Sequence, residues 1–418
     1  MIKTLKPPVV YVSDRVRADQ RCMARFERMM SSIKCDRVED VTDDDIERLI
    51  AEQGWNESRR DTGRDKRGDP PIVFNRYRWL SPQEEEDYAR RFPARFKGGY
   101  GPRFFGFGAF TLRDRDAVRR SNIVCQSAWE IHSVTGCLFK CAYCSFEDFL
   151  NVMLDLEEWA EHLERLIDEQ PWQALYKYDN QSDILPFEPE YGASEILVPM
   201  FAKKPNAYLM HYTKSAHVDH LLGLEHGGHT LMCWSLSAHT QSREIERDSA
   251  TCEERIEAAG KCQDAGYPVR FRFSPIVPLK GWEDEVRAMI ERLLSTVRPE
   301  VITLQTLSRF PEYDIVERVF DTEVLDERFL EAMRSRPDDV QGRLYGPIPH
   351  ELRKEMYTFC IAEIRQRDAG VPVSICLESV EMWDDLEDTL GIDRWKYPCC
   401  CGPVCVPGDP VMRRKDGL

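Results

Sequence analysis

The stretch "VTGCLFKCAYCSFED" (134–148) places Cys137, Cys141 and Cys144 three and then two residues apart. That is a pattern of soft ligands rather than of packing residues. A mononuclear zinc site uses four protein ligands, as paired knuckles or Cys/His sets. No second knuckle follows within the roughly 15–20 residues that such sites span. Three thiolates also suit an iron–sulfur cubane of four irons, one of which then lacks a thiolate and can take a small chelating ligand.

A second group, "WKYPCCCGPVC" (395–405), supplies Cys399, Cys400, Cys401 and Cys405. Three adjacent cysteines cannot all reach one tetrahedral ion without backbone strain, so two or three of them would share an auxiliary cluster or metal. Two other readings stand beside that one. A mobile tail could carry a thiol over the active site as a hydrogen donor, or the tail could simply be reduced and exposed. Just upstream, Cys376 and Glu378 of "ICLESVEMW" (375–383) fall at the end of a further short strand candidate with no assigned role.

Such residues need a scaffold, and the chain from about residue 121 onward supplies one. Strand-like runs at 122–131, 173–179, 207–214, 230–237, 269–277 and 301–308 alternate with helical patterns at 156–170, 217–226, 252–266 and 282–297. Alternation of this kind implies parallel strands joined by right-handed crossovers, in a doubly wound sheet or an open barrel. Catalytic groups gather at the C-terminal ends of such strands, and the cysteine triplet follows the first strand directly.

The CxxxCxxC spacing, with an aromatic residue before the last cysteine and a six-strand unit around it, resembles the radical S-adenosylmethionine (SAM) superfamily. That resemblance implies an α/β fold: a partial six-stranded (β/α) barrel with an N-terminal extension and a Cys-rich C-terminal tail. It also implies a [4Fe–4S] cluster on Cys137, Cys141 and Cys144, SAM on the open iron, and an electron donor such as flavodoxin or ferredoxin. The longer stretch 211–294 is similar to the spore photoproduct lyase family. It contains "TKSAHVDHLL", "SLSAH", "RIEAAG", "AGYP" and "SPIVPLKGWE" in the family's order. Carried over residue by residue, Ser182, Lys214 and Ser235 match positions that contact SAM, and Tyr143 matches a tyrosine beside the cluster. A capping or exposed role competes for each of the three, and a packing role for Tyr143. The family's second tyrosine is replaced by Ser145.

One departure bears on the chemistry. The lyases carry a cysteine two residues before the Ser-Asp pair, and its thiol returns a hydrogen atom to the thymine radical. Here that place is Asn180, whose amide cannot do so. The resemblance therefore implies an isomerase that rearranges an amino-acid-substituted thymidine during DNA hypermodification. Lyase-type DNA repair and bond formation on a small natural product are the alternatives, with a nucleic-acid-binding module around a structural metal further off. The substrate is expected to be DNA or a thymidine nucleotide.

Lys and Arg total 57 against 73 Asp and Glu, a formal charge of −16, so nucleic acid would have to be met by a local basic patch. The Arg-rich, aromatic runs at 90–108 and 113–120 are candidates, against the reading of a solvated face beside an aromatic core. No apolar leader opens the chain and no run of about 18 apolar residues occurs, which predicts a cytoplasmic protein with no membrane partner. The organisation expected is an N-terminal region (1–120) that is a candidate for substrate or nucleic-acid contact, a radical SAM core (121–330) and a C-terminal region (331–418), with 56–71 an exposed loop or linker.

Overall fold

The computed structural model describes residues 1–55, 68–93, 101–114, 122–144, 149–308, 313–335, 343 and 345–414. Most of the charged run 56–71, much of the Arg-rich runs at 90–108 and 113–120, and Ser145 lie outside the described residues. Of the first Arg-rich run, Arg103, Phe104, Phe105 and Phe107 are described and buried, and the three phenylalanines form part of an aromatic core piece with Trp55 and Phe149.

Two sheets carry the fold. Their strands in chain order are β1 (Val10–Ser13), β2 (Val38–Val41), β3 (Ile72–Asn75), β4 (Phe110–Arg113), β5 (Ala128–Ile131), β6 (Val134–Thr135), β7 (Leu150–Met153), β8 (Leu175–Tyr178), β9 (Tyr208–Thr213), β10 (Thr230–Ser235), β11 (Val269–Ile276), β12 (Ile302–Thr306) and β13 (Val373–Ile375). The smaller sheet runs β2-β1-β3-β7-β6, so the three N-terminal strands continue directly into strands that flank the cysteine loop. The larger runs β13-β12-β11-β10-β9-β8-β5-β4, with seven parallel strands and β4 antiparallel at one edge.

All six expected strands are present. The first is split: Ile123–Val124 separates from β5 and pairs antiparallel with Glu378–Ser379. That pairing ties the segment after β13 to the segment before β5, at opposite sides of the sheet order. A seventh parallel strand, β13, joins the six; it ends immediately before Cys376, where the sequence offered a further strand candidate, and at three residues it is too short to give a periodic signal. The helix expected at 217–226 is instead a series of turns. Leu221 N bonds Val218 O and Leu224 N bonds Leu221 O, while the Tyr267 hydroxyl also donates to the Leu221 carbonyl at 2.7 Å. The apolar spacing there packs Val218 and Leu221 into the core without a helical ladder.

The two faces of the larger sheet differ in character, most clearly toward the C-terminal ends of its strands. One face carries Tyr176, Tyr178, Leu209, Met232, Trp234, Phe271, Phe273, Ile302 and Leu304, all buried. It packs with helices that include Cys252–Asp264 and Trp282–Thr296. The other face carries Glu130, Lys177, Tyr212, Ser235, Arg272, Ser274, Thr303 and Gln305. Pairings such as Lys177 with Glu130, Ser235 with Arg272 and Arg272 with Thr303 set them side by side. A period of two forces this: once Phe271 and Phe273 enter the apolar core, Arg272 must point the other way.

His211, on β9, is buried and sits 5.7 Å from the Tyr178 ring. Burial, aided by His220, pushes its imidazole down to about 3. In the unfolded chain it titrates near 6.5, so the unfolded state binds more protons between these values and the group withdraws stability as pH falls through that window. Asp155 and Asp183, each raised to about 6 by burial, act in the opposite sense from about 6 down to their unfolded values, so they mask the effect in the wild type. His211→Phe isolates it. Relative to wild type, the variant is expected to gain about 2 kcal/mol between pH 7 and pH 5, at about 1.4 kcal/mol per pH unit. Urea midpoints at the two pH values measure this, and an unchanged difference would show that His211 is not held neutral.

Candidate active site

The cysteine loop is braced on three sides. Gly136 has φ of 92°, and a Cβ there would lie 1.8 Å from the Phe149 carbonyl oxygen, so only glycine permits this close passage. Its N–H donates to Gln181 O at 3.1 Å, tying the loop to the segment after β8. Further along, Lys140–Cys141 pairs antiparallel with Glu246–Arg247, and Ala142 N donates to Ile245 O at 2.8 Å. Cys137, Cys141 and Cys144 are thereby held on one loop beyond the C-terminal end of β5. Burial pushes the Cys137 thiol well up, with Asp183 and Cys144 adding to it. A thiolate there gains by facing a cation, as a metal ligand does. Among the described residues, no three His, Cys, Asp or Glu side chains gather to hold a single metal ion. A cubane places each thiolate on a different iron, so its ligands need no common point.

The segment after β8 is fixed by Asp179. Its carboxylate accepts from the backbone N–H groups of Ser133, Val134 and Gln181 at 3.0–3.1 Å, which binds β8's end to the start of the cysteine loop. Asn180 donates Nδ2 to Glu130 at 2.8 Å. Asn180 Oδ1, Gln181 Oε1 and Ser182 Oγ are buried without a hydrogen-bond partner. Three orphaned oxygens side by side are costly in a folded core and are what a ligand-binding wall leaves open.

Lys214 follows β9 and donates Nζ to Ser235 Oγ at 2.6 Å; that hydroxyl donates in turn to Ser274 O at 2.6 Å. Lys214 therefore meets Ser235 at adjacent strand ends. The backbone N–H of Lys214 bonds Asp183, which also accepts from Thr213 at 2.9 Å. Burial pushes the Lys214 ammonium down, but Glu246 and neighbouring groups outweigh it and hold it above its ordinary value.

Glu246 is the hub that sequence reading missed. Fully buried, it accepts from the Tyr143 hydroxyl and from Ser237 Oγ at 2.8 Å, and pairs with Arg255 at 2.7 Å. Burial raises its carboxyl, yet Arg255 and Lys214 outweigh that and keep it below the usual carboxylate range. Arg255 also donates to the Ser235 and Ala250 carbonyls at 2.8 Å. The Lys214 ammonium lies 5.9 Å from the Tyr143 ring centroid. Glu246 hides in the charged run "SREIERD", where nothing distinguishes it from surface residues, whereas Arg255 lies within the "RIEAAG" already singled out.

The C-terminal cysteines occupy the opposite end of the strands and are buried, so the tail is not an exposed one. Cys400 Sγ lies 3.2 Å from Phe271 O and Thr303 Oγ1, near the starts of β11 and β12. Pro403 O accepts from Ala174 N and Leu175 N where β8 begins. Cys399 and Cys401 place their sulfurs 4.0 Å apart, and Cys405 is fully buried beside Tyr397. Cys376 accepts from Arg272 at 3.3 Å, while Glu378 pairs with Arg353 at 3.0 Å.

Residues 120–310 match the family model described as spore photoproduct lyase. Spore photoproduct lyase of Bacillus subtilis (strain 168) is 28% identical over 180 residues, covering 41% of this chain and 53% of that protein. The Clostridium acetobutylicum protein of the same name is 23% identical over 190 residues, covering 43% and 56%. The chain thus spans little more than half the length of these curated relatives. In fold, a spore photoproduct lyase complexed with dinucleoside spore photoproduct aligns with a TM-score of 0.60 at 18% identity, over 89% of this chain and 99% of that one. A mutant solved with bound AdoMet and the same dinucleoside gives the same values. With the cysteine loop and the Lys214–Ser235 wall in place on this α/β fold, residues 120–310 are similar in sequence to spore photoproduct lyases, and the fold is similar to theirs over 89% of the chain.

Proposed function

We propose that the chain is a radical SAM enzyme that rearranges an amino-acid-substituted thymine in DNA, moving the substituent on the thymine methyl from nitrogen to carbon attachment. Cys137, Cys141 and Cys144 would hold the [4Fe–4S] cluster, and Ser182, Lys214 and Ser235 would contact SAM. The residues fit that pair: three thiols share one braced loop, and an unpaired Ser182 hydroxyl and the Lys214 ammonium stand at neighbouring strand ends. When bound and reduced by a donor such as flavodoxin or ferredoxin, the pair supplies a 5′-deoxyadenosyl radical that abstracts a hydrogen atom.

The protein's own part is placement. Lys214 presents a positive charge suited to the SAM carboxylate, and Ser235 fixes the ammonium's position. Tyr143, anchored on Glu246, walls the cysteine loop. Asn180 carries the isomerase reading. At the place of the lyases' hydrogen-donating thiol it offers an amide engaged with Glu130. The quenching hydrogen would then come from 5′-deoxyadenosine: it leaves the substituent's α-carbon, and returns to the nitrogen that is freed when the thymine methylene moves from nitrogen to that carbon.

A second reading is lyase-type repair of a thymine photoproduct, favoured by the match of residues 120–310 and by the dinucleoside spore photoproduct held in the similar structures. Anaerobically reconstituted protein, reductant and thymidine-modified DNA separate the two. Rearranged base accumulating while SAM is conserved is the expected result. Stoichiometric SAM consumption with a thymine dimer split would sink the isomerase and support the lyase.

A further inference from the structure

The polar face of the larger sheet carries three cations close together. Arg113 pairs with Glu130 Oε1 at 3.1 Å, and Glu130 sits in register with Lys177 on the next strand. The Lys177 ammonium lies 4.6 Å from the centroid of the Tyr212 ring, and the Arg272 guanidinium lies 5.2 Å from that same centroid. Arg272 bonds Gln305 at 2.7 Å, and Ser274 Oγ donates to the same Gln305 oxygen at 2.9 Å. Ser274 O in turn receives the hydroxyl of Ser235. Glu130 receives Asn180 with its other oxygen. The cations are thus linked through Glu130 to Asn180, and through Gln305 and Ser274 to the Lys214–Ser235 pair.

This group is short of negative charge. Lys177 and Arg272 are each 7% exposed. The Lys177 ammonium faces the Tyr212 ring, and Arg272 Nε is buried without an acceptor. The carboxylate facing them is Glu130, which pairs with Arg113 and stands in register with Lys177. Three cations against one carboxylate leave positive charge uncompensated among largely buried strands. That is costly unless a ligand supplies the counter-charge.

We propose that Arg113, Lys177 and Arg272 receive a carboxylate carried by the substrate, the free carboxyl of the amino-acid substituent on the thymine methyl. This rests on the isomerase reading for the substituent's identity. A guanidinium fork suits a carboxylate geometrically, and an ammonium beside it adds charge without a fixed direction. Anchoring the carboxylate below Asn180 holds the substituent's attachment point toward the cysteine loop. A DNA phosphate offers the same charge, but it would have to bring the backbone in among buried strands.

Equilibrium binding to the reconstituted holoprotein with SAM and without reductant tests this in the absence of turnover. The probes are a thymidine nucleoside bearing an amino acid on its methyl, its carboxamide counterpart, and unsubstituted thymidine dinucleotide. The free carboxylate is expected to bind at least tenfold more tightly than the carboxamide. Lys177→Met and Arg272→Met should bring that ratio close to one, with Lys177→Arg retaining it. Equal binding of carboxylate and carboxamide by the wild type overturns the proposal, and needs no variant to fold. So does a dinucleotide that binds as tightly as the carboxylate and loses that affinity in both variants, which would assign the cations to phosphate. A carboxylate preference without rearrangement on adding reductant would reject the isomerase and leave the carboxylate site standing. Rearrangement without the preference would do the reverse.

Discussion

Cys141→Ala is expected to lose its iron while keeping its fold. The Cys141 backbone is set by its pairing with Glu246 and by the neighbouring Ala142–Ile245 hydrogen bond, neither of which needs the thiol. Removing one small buried sulfur costs about 1 kcal/mol of packing, a minor part of domain stability. Removing one of three thiolates from a cluster is different in kind, because the remaining two cannot hold a cubane against loss to solvent. Iron per chain after anaerobic reconstitution should fall by most of its wild-type value, and reductive cleavage of SAM by at least about 10²-fold, beyond what loss of a supporting partner usually costs. The circular dichroism spectrum and urea midpoint should barely move. Full iron with intact SAM cleavage would remove Cys141 from the ligand set.

The second large effect falls on a residue that touches no cofactor. Arg255→Met strips Glu246 of its fully buried counter-ion and leaves the Ser235 and Ala250 carbonyls without their donor. Breaking a buried pair from one side costs about 3–5 kcal/mol, because the surviving charge stays desolvated. Urea denaturation should report a loss of that order. The same change frees Tyr143 and Ser235 together, since one is held by Glu246 and the other by Arg255, so SAM affinity should drop with stability. Glu246→Gln is the milder partner: it keeps the shape and Tyr143's acceptor and should cost less than Arg255→Met. A small loss from Arg255→Met would mean that lysine or solvent compensates Glu246 in its place.

These residues mark where sequence reading stops. The six expected strands of the larger sheet were legible because each lies in a longer run rich in β-branched and aromatic residues bounded by turns, and the cysteine triplet because its spacing is local. The three-residue β13 lay inside "VPVSICLESV" with too few positions for a period. The short strands β1 to β3 were not picked out, and their sheet is completed only by β7 and β6 from far along the chain. Glu130, Lys177, Tyr212 and Arg272 come from four strands, and only register places them together. The burial of Cys399 to Cys405 was likewise not local information: thiols behave as small apolar groups and here fill the space where β8, β11 and β12 begin. Among the described residues no helix is long and apolar enough to cross a membrane.

The rearrangement, in which a hydrogen leaves the substituent's α-carbon and is given back to the freed nitrogen, is tested most directly by placing deuterium on that α-carbon in the modified DNA. With reconstituted protein, SAM and reductant, deuterium is expected in the 5′ position of recovered SAM or 5′-deoxyadenosine, together with rearranged base and little net SAM loss. Rearranged base formed with wholly unlabelled SAM and 5′-deoxyadenosine would contradict it.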